Sequence, residues 1–244
     1  GLGDVYKRQI VNAATGTNTF DANNDVFETI NLVAYSASAA PTIVTGAYTL
    51  GTGQTLTINA GGLAATNVVT VTGTQAVSPL NITTGSASDI IAGGTNADII
   101  SSGAGNDTIT TVGAVCDLVD AGAGNDIINL GTGADNIDAG AGNDTIAAGA
   151  NLKNTDTIDG GAGTDTMTIN AAVSNSSVMG GVSNIEVINV TGANNTTTDG
   201  DMGGATTFVI NDNNAQILTL GGLGKTWTPD TTVSVTSGTT MTNK

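Results

Sequence analysis

Between Gly85 and Thr168 an aspartate returns nine times, at positions 89, 98, 107, 117, 126, 135, 144, 156 and 165, in steps of nine residues broken once by ten and once by twelve. If each aspartate is position 6 of a nonapeptide, position 2 is Gly85, Gly94, Gly103, Gly113, Gly122, Gly131, Gly140 and Gly161, and Gly149 fills that place in the one repeat with an insertion. Position 8 is apolar throughout: Ile91, Ile100, Ile109, Val119, Ile128, Ile137, Ile146, Ile158 and Met167. This period is neither the 3.6 residues of a helix nor the two-residue alternation of an isolated strand. Three columns in register require a stacked architecture, because one nonapeptide cannot bury its apolar residue alone.

Within each unit, glycines let a tight loop adopt φ > 0 and turn main-chain carbonyls inward. The aspartate closes the loop with a carboxylate, and a short strand follows whose position-8 side chain packs on its equivalent in the next coil. The pattern resembles the RTX, or haemolysin-type, repeat G-G-x-G-x-D-x-U-x, closely over residues 122–146 and well over the whole of 84–168. The resemblance implies a parallel β-roll with two nonapeptides per coil and Ca²⁺ held between loops on the same side. The expected fold class is all-β, a right-handed parallel β-roll or β-solenoid with β-rich flanking segments. Its expected divisions are 10–83 as a flank, 84–169 as the calcium β-roll and 170–244 as a second flank.

Composition narrows the chemistry. Five Lys and Arg face 21 Asp and Glu, for a formal charge of −16, and a polyanion of this kind repels nucleic acid and attracts cations. Hydrophobic residues still make up 39% of the chain, too many for a disordered acidic tail. There is no histidine, which removes Ser-His-Asp triads, Cys-His pairs and HExxH zinc sites. The single cysteine, Cys116, occupies a variable loop position and allows no internal disulfide. No apolar run is long enough to span a membrane.

Ca²⁺ takes six to eight hard oxygens, about what one carboxylate and two carbonyls per loop supply across neighbouring coils. Without the ion, carboxylates stacked at roughly 4.8 Å repel one another, so metal binding is expected to couple to folding. The repeats also carry an 18-residue super-period. The odd repeats hold Asp89, Asp107, Asp126, Asp144 and Asp165, with a position-4 glycine at Gly105, Gly124, Gly142 and Gly163 and an asparagine before the aspartate at Asn106, Asn125 and Asn143. The even repeats hold Asp98, Asp117, Asp135 and Asp156, of which only Asp135 has the position-4 glycine, Gly133. If alternate loops line opposite edges, the odd edge is expected to bind Ca²⁺ well and the even edge poorly. The candidate metal residues are these nine aspartates with Gly103, Gly105, Gly122, Gly124, Gly131, Gly133, Gly140, Gly142, Gly161 and Gly163. Nine loops allow at most about seven same-side neighbour pairs, four of them on the odd edge.

Other features carry blander readings. The position-9 acids Asp120, Asp138 and Asp159 read as solvated or loop-capping groups. Asp21-Ala22-Asn23-Asn24-Asp25 begins like an EF-hand loop but lacks its sixth-position glycine and twelfth-position glutamate, and Asp199-Gly200-Asp201 reads as a turn. Tyr48 and Trp227 read as core plugs. Gly1–Gln9, GLGDVYKRQ, resembles the translation of a sequencing adapter and is set aside, and the chain is expected to be a window from a longer array. The flanks alternate apolar and polar residues, as in Thr55–Ala60, and share one echo: Phe27-Glu28-Thr29-Ile30-Asn31-Leu32 resembles Ile185-Glu186-Val187-Ile188-Asn189-Val190.

Among RTX families these flanks look most like bacterial S-layer proteins and large RTX adhesins. That resemblance implies a non-enzymatic, calcium-binding structural module. It would leave by type I secretion and fold on Ca²⁺ at the extracellular cell surface, with cell-surface polysaccharide or its own copies as partners. The alternative is the C-terminal secretion and folding module of a protease or lipase whose catalytic domain lies elsewhere.

Overall fold

The protein is described from a computed structural model over residues 54–170 except Gln75 and Val77, over 178–191, and over the flanking strands, whose side chains are described only at 29–32 and 41–44. Two long parallel sheets take alternate strands. The first has nine strands: Lys7–Ala13, Phe27–Ala34, Leu56–Asn59, Leu80–Thr83, Ile99–Ser101, Leu118–Asp120, Asn136–Asp138, Thr157–Asp159 and Val182–Ser183. The second has eleven: Gly16–Phe20, Pro41–Thr45, Thr70–Thr72, Ile90–Ala92, Thr108–Thr110, Ile127–Asn129, Thr145–Gly149, Thr166–Asn170, Val187–Thr191, Thr207–Ile210 and Thr232–Val235. Thr196–Thr198, Ile217–Thr219 and Thr240–Met241 form a small third sheet. The chain is thus a parallel β-solenoid in which each repeat contributes one strand, to one sheet or the other in turn. Flank strands on both sides of the repeats belong to the same two sheets, and Lys7, Arg8 and Gln9 are the first residues of the first strand.

The repeat strands are only three residues long in most units because one inward residue is all that the interior admits. Position 8 is that residue, and all nine are buried. Register stacks Ile91, Ile109, Ile128, Ile146, Met167 and Ile188 on the second sheet, and Ile100, Val119, Ile137, Ile158 and Val182 on the first. Burying an aliphatic side chain of this size contributes about 1.5–3 kcal/mol, far less than the cost of ordering nine residues, so a unit holds its shape only between neighbours. Positions 7 and 9 point out, and the two outer faces differ. The first sheet stacks Asp120, Asp138 and Asp159 directly opposite one another. No strand of the second sheet contains a charged residue; Thr70, Thr72, Thr108, Thr110, Thr166 and Thr168 lie on its outside.

Every odd loop leads into a second-sheet strand and every even loop into a first-sheet strand, so the two loop sets line opposite edges.

Candidate calcium edge

All nine position-6 aspartates are buried, none more than 2% exposed. They form two ladders in which each carboxylate accepts a main-chain N–H from the coil before it. On the odd edge Val69 donates to Asp89 Oδ1 at 2.7 Å, Asp89 to Asp107 at 2.7 Å, Asp107 to Asp126 at 2.7 Å, Asp126 to Asp144 at 2.7 Å and Asp144 to Asp165 at 2.8 Å. On the even edge Leu80 donates to Asp98, Asp98 to Asp117, Asp117 to Asp135 and Asp135 to Asp156, at 2.8–3.1 Å. Each aspartate therefore staples consecutive coils through Oδ1.

Oδ2 separates the edges. At three of the four even-edge aspartates protein donors satisfy it: the Gly94 N–H on Asp98 at 2.5 Å, the Thr111 hydroxyl on Asp135 at 3.3 Å and the Lys153 N–H on Asp156 at 2.7 Å. On the odd edge Asp107, Asp126, Asp144 and Asp165 each have a buried Oδ2 with no hydrogen-bond partner. Leaving one such oxygen unpaired costs roughly 1–3 kcal/mol and more when it is charged, so four in a row require a counter-charge. Asp89, at the start of the row, differs: its Oδ2 takes the Gly85 N–H at 3.3 Å.

The loops carrying those oxygens are built from glycine in left-handed backbone. Gly103, Gly122, Gly140 and Gly161 at position 2 have φ of 96, 92, 96 and 84°, and Gly105, Gly124, Gly142 and Gly163 at position 4 have φ of 117, 143, 144 and 148°. On the even edge only Gly113 and Gly149 share that sign; Gly131 and Gly133 do not. Odd loops stack almost as a strand, with bridges Ala104–Ala123–Ala141–Ala162 and alternating hydrogen bonds of 2.7–2.9 Å through the position-2 and position-3 carbonyls. The position-4 carbonyls of Gly105, Gly124 and Gly142 are not taken up by that ladder. A second, exposed ladder runs through position 5: Asn125 N–H donates to Asn106 Oδ1, Asn143 to Asn125 and Thr164 to Asn143, each at 2.8 Å. The asparagine column is visible in the sequence, but its bonding role is not, since that depends on which coils touch.

The row thus offers hard oxygens only, one carboxylate per loop plus main-chain carbonyls. Among the described residues no three acidic, His or Cys side chains converge as in a conventional metal cluster. This donor set suits a cation such as Ca²⁺, and the odd residues Asp107, Asp126, Asp144 and Asp165 with their loop glycines would hold it.

Electrostatics agree. Burial pushes the carboxyls up, to about 6 for Asp107 and about 7 for Asp117 and Asp126, with neighbouring aspartates adding to the rise. Asp89, Asp98, Asp135, Asp144 and Asp165 are also raised, burial first. A folded-state pKa above the unfolded value makes protonation favour folding. That stability is full below about pH 4, where the unfolded carboxyls are also protonated, and is lost as pH rises through about 6 to 7. In chelator, the metal-free chain is therefore expected to show more β-sheet circular dichroism near pH 4 than at about pH 7.5; a signal flat across that range would refute this.

The position-9 acids line the first sheet's outer face. Asp159 accepts the Gly161 N–H at 3.0 Å and the Asn184 side-chain amide at 2.7 Å, capping its loop. Burial, then the Asp120 and Asp159 charges, raise Asp138. Cys116 is exposed on an even loop, and burial followed by Asp135, Asp117 and Asp156 pushes its thiol up, away from the reactive thiolate. Lys153 Nζ donates to the Thr132 carbonyl. The Asp21–Asp25 segment, Tyr48, Asp199–Asp201, Lys225 and Trp227 lie outside the described residues, as does the Glu28 side chain.

The RTX calcium-binding nonapeptide repeat family, in four copies, matches residues 81–111, 117–150 and 154–168. Residues 81–168 of the chain carry RTX repeats. RTX repeats bind Ca²⁺ in a β-roll, and the matched segments contain both aspartate ladders and the whole row of unpartnered oxygens. The chain matches no curated protein and no solved structure. No helix among the described residues is long and apolar enough to cross a membrane, which says nothing of β-barrels.

The site extends to one residue outside the nine aspartates picked out by the repeat spacing. Asp165 N–H donates to Glu186 Oε2 at 2.8 Å, so Glu186 is the next rung of the odd ladder. The signal was available: Glu186 follows Asp165 by the same 21 residues that separate Asp165 from Asp144. Its echo partner lies elsewhere in the fold. Ile30 and Ile188 are both fully buried, but the strand Phe27–Ala34 belongs to the first sheet and Val187–Thr191 to the second.

Proposed function

We propose that this RTX-repeat chain is a calcium-dependent structural module of a secreted bacterial cell-surface protein, S-layer-like or adhesin-like, that becomes rigid on meeting extracellular Ca²⁺. The observation that carries this reading is the row of four buried, unpartnered carboxylate oxygens on one edge. Such a row opposes folding without a cation and favours it with one, which suits a chain exported unfolded and folded outside the cell. A non-enzymatic role is supported by the use of the buried aspartates as coil-to-coil rungs. The uncharged outer face of the second sheet, in a chain of charge −16, supports contact with a neutral polysaccharide or with another copy.

Far-UV circular dichroism tests the calcium reading. In EDTA near neutral pH the full chain is expected to lack most of its β-signal, and to gain it cooperatively with Ca²⁺ but not with Mg²⁺, which tolerates such flexible carbonyl-rich loops poorly. A chain fully folded in EDTA and indifferent to Ca²⁺ would reduce the aspartates to turn formers. Binding of the folded, calcium-loaded chain to bacterial cell walls or glycans, against none for the EDTA form, tests the surface role.

A further inference from the structure

We infer that the calcium edge does not end with the RTX repeats: Glu186, with Asp165 and the Asn184 main-chain carbonyl, forms one additional Ca²⁺ site that closes the edge. The inference rests on the calcium reading above and adds a site outside the matched segments, which stop at residue 168.

The coil after the last repeat abandons the glycine loop. From Asp159 to Thr166 the chain turns through the six residues 160–165, whereas from Ser183 to Val187 it turns through Asn184, Ile185 and Glu186 alone. Asn184 makes the shorter turn at φ 50°, the one non-glycine residue in left-handed backbone among those described, and asparagine tolerates that region. Its side-chain amide donates to Asp159 Oδ1 at 2.7 Å. That carbonyl is aimed at Gly160: a Cβ built there would overlap the Asn184 oxygen and lie 2.9 Å from Asp165 Oδ2. Both oxygens therefore approach the bare side of one glycine. At the same position of the preceding odd repeats, Ser102, Ala121 and Ala139 carry side chains instead.

Asp165 is fully buried, and its Oδ2 is the last of the unpartnered oxygens. Every other unpartnered rung has another RTX loop beyond it; Asp165 has only this shortcut. Glutamate is one methylene longer than aspartate, so at the end of a three-residue turn its carboxylate still meets the Asp165 N–H. The result is a carboxylate, a second carboxylate and a main-chain carbonyl at one end of the stack, hard oxygens with net negative charge. Asp159 stands close enough for its charge, with that of Glu186, to raise the Asp165 carboxyl after burial does. A divalent cation matches this set, with water completing its shell.

Native mass spectrometry and calorimetry on the full chain, titrated with CaCl₂, decide it. Glu186→Gln keeps an oxygen to accept the Asp165 N–H but removes the charge. It is expected to bind one Ca²⁺ fewer than the wild type, with the remaining ions and the β-signal retained. Asn184→Gly keeps the backbone carbonyl and the left-handed turn, and is expected to keep the ion. Glu186→Gln binding the wild-type number with unchanged affinity would overturn the inference while leaving the calcium reading intact; a wild type that binds no Ca²⁺ would overturn both. If Glu186→Gln does not fold, hydrogen exchange on the wild type decides: Ca²⁺-dependent protection of the Asp165 and Val187 amides supports the site, and protection that stops before residue 160 overturns it.

Discussion

An Asp126→Asn chain is expected to need at least about tenfold more Ca²⁺ to fold than an Asp135→Asn chain, a difference of about 1.4 kcal/mol in binding. Both substitutions keep Oδ1, so Asp107 N–H can still donate at position 126 and Asp117 N–H at position 135. What differs is the other atom. At 126 the new amide replaces a buried oxygen that no protein group satisfies, one flanked by loops on both sides of the row. At 135 it replaces an oxygen already bonded to the Thr111 hydroxyl, which can reverse and accept. The carboxyl pKa values do not make this distinction, since burial raises both groups. The prediction rests on partners alone. Calcium midpoints by circular dichroism, with ion counts by native mass spectrometry, measure it; equal midpoints would mean that the two edges bind alike.

Gly142→Ala is expected to be among the most damaging single-methyl changes in the chain. Residue 142 has φ 144°, a region that costs a side-chain-bearing residue roughly 1–3 kcal/mol. The added Cβ would also overlap the Gly124 carbonyl oxygen of the neighbouring coil, and that oxygen belongs to backbone that cannot rotate away. Either the coils part, opening the odd-loop ladder, or the loop is rebuilt without its calcium geometry. Gly149→Ala is the control. It too has positive φ, at 55°, but nothing lies within 4 Å of its added Cβ, so only the backbone term of roughly 1–2 kcal/mol remains. Urea midpoints in saturating Ca²⁺ compare them; equal losses would show that inter-coil contact at the loop contributes nothing.

Much of this architecture was legible in the residue spacing. A carboxylate, a glycine and an aliphatic residue recurring every nine positions cannot bury anything in isolation, so stacking, inward position-8 residues and parallel strands follow from the period itself. The super-period also marked the odd edge, because position-4 glycines and position-5 asparagines cluster there. Other features depended on which coil touches which. Each aspartate's Oδ1 bonds an amide eighteen to twenty-one residues away, and only the stack shows that Oδ2 is bare at Asp107, Asp126, Asp144 and Asp165 but has donors at Asp98, Asp135 and Asp156. The placement of threonines on one uncharged sheet and stacked acids on the other follows from two strands per coil, a parity that a linear scan of scattered Thr-x-Thr strings does not expose. Glu186 shows the division most plainly. Its 21-residue interval from Asp165 was written in the chain, but its role as a rung required the three-residue turn at Asn184 to carry its longer side chain to the Asp165 amide. Periodic chemistry is set locally and survives in sequence; whether a buried oxygen has a partner is a property of neighbours brought together by the coil, and only the tertiary structure decided it.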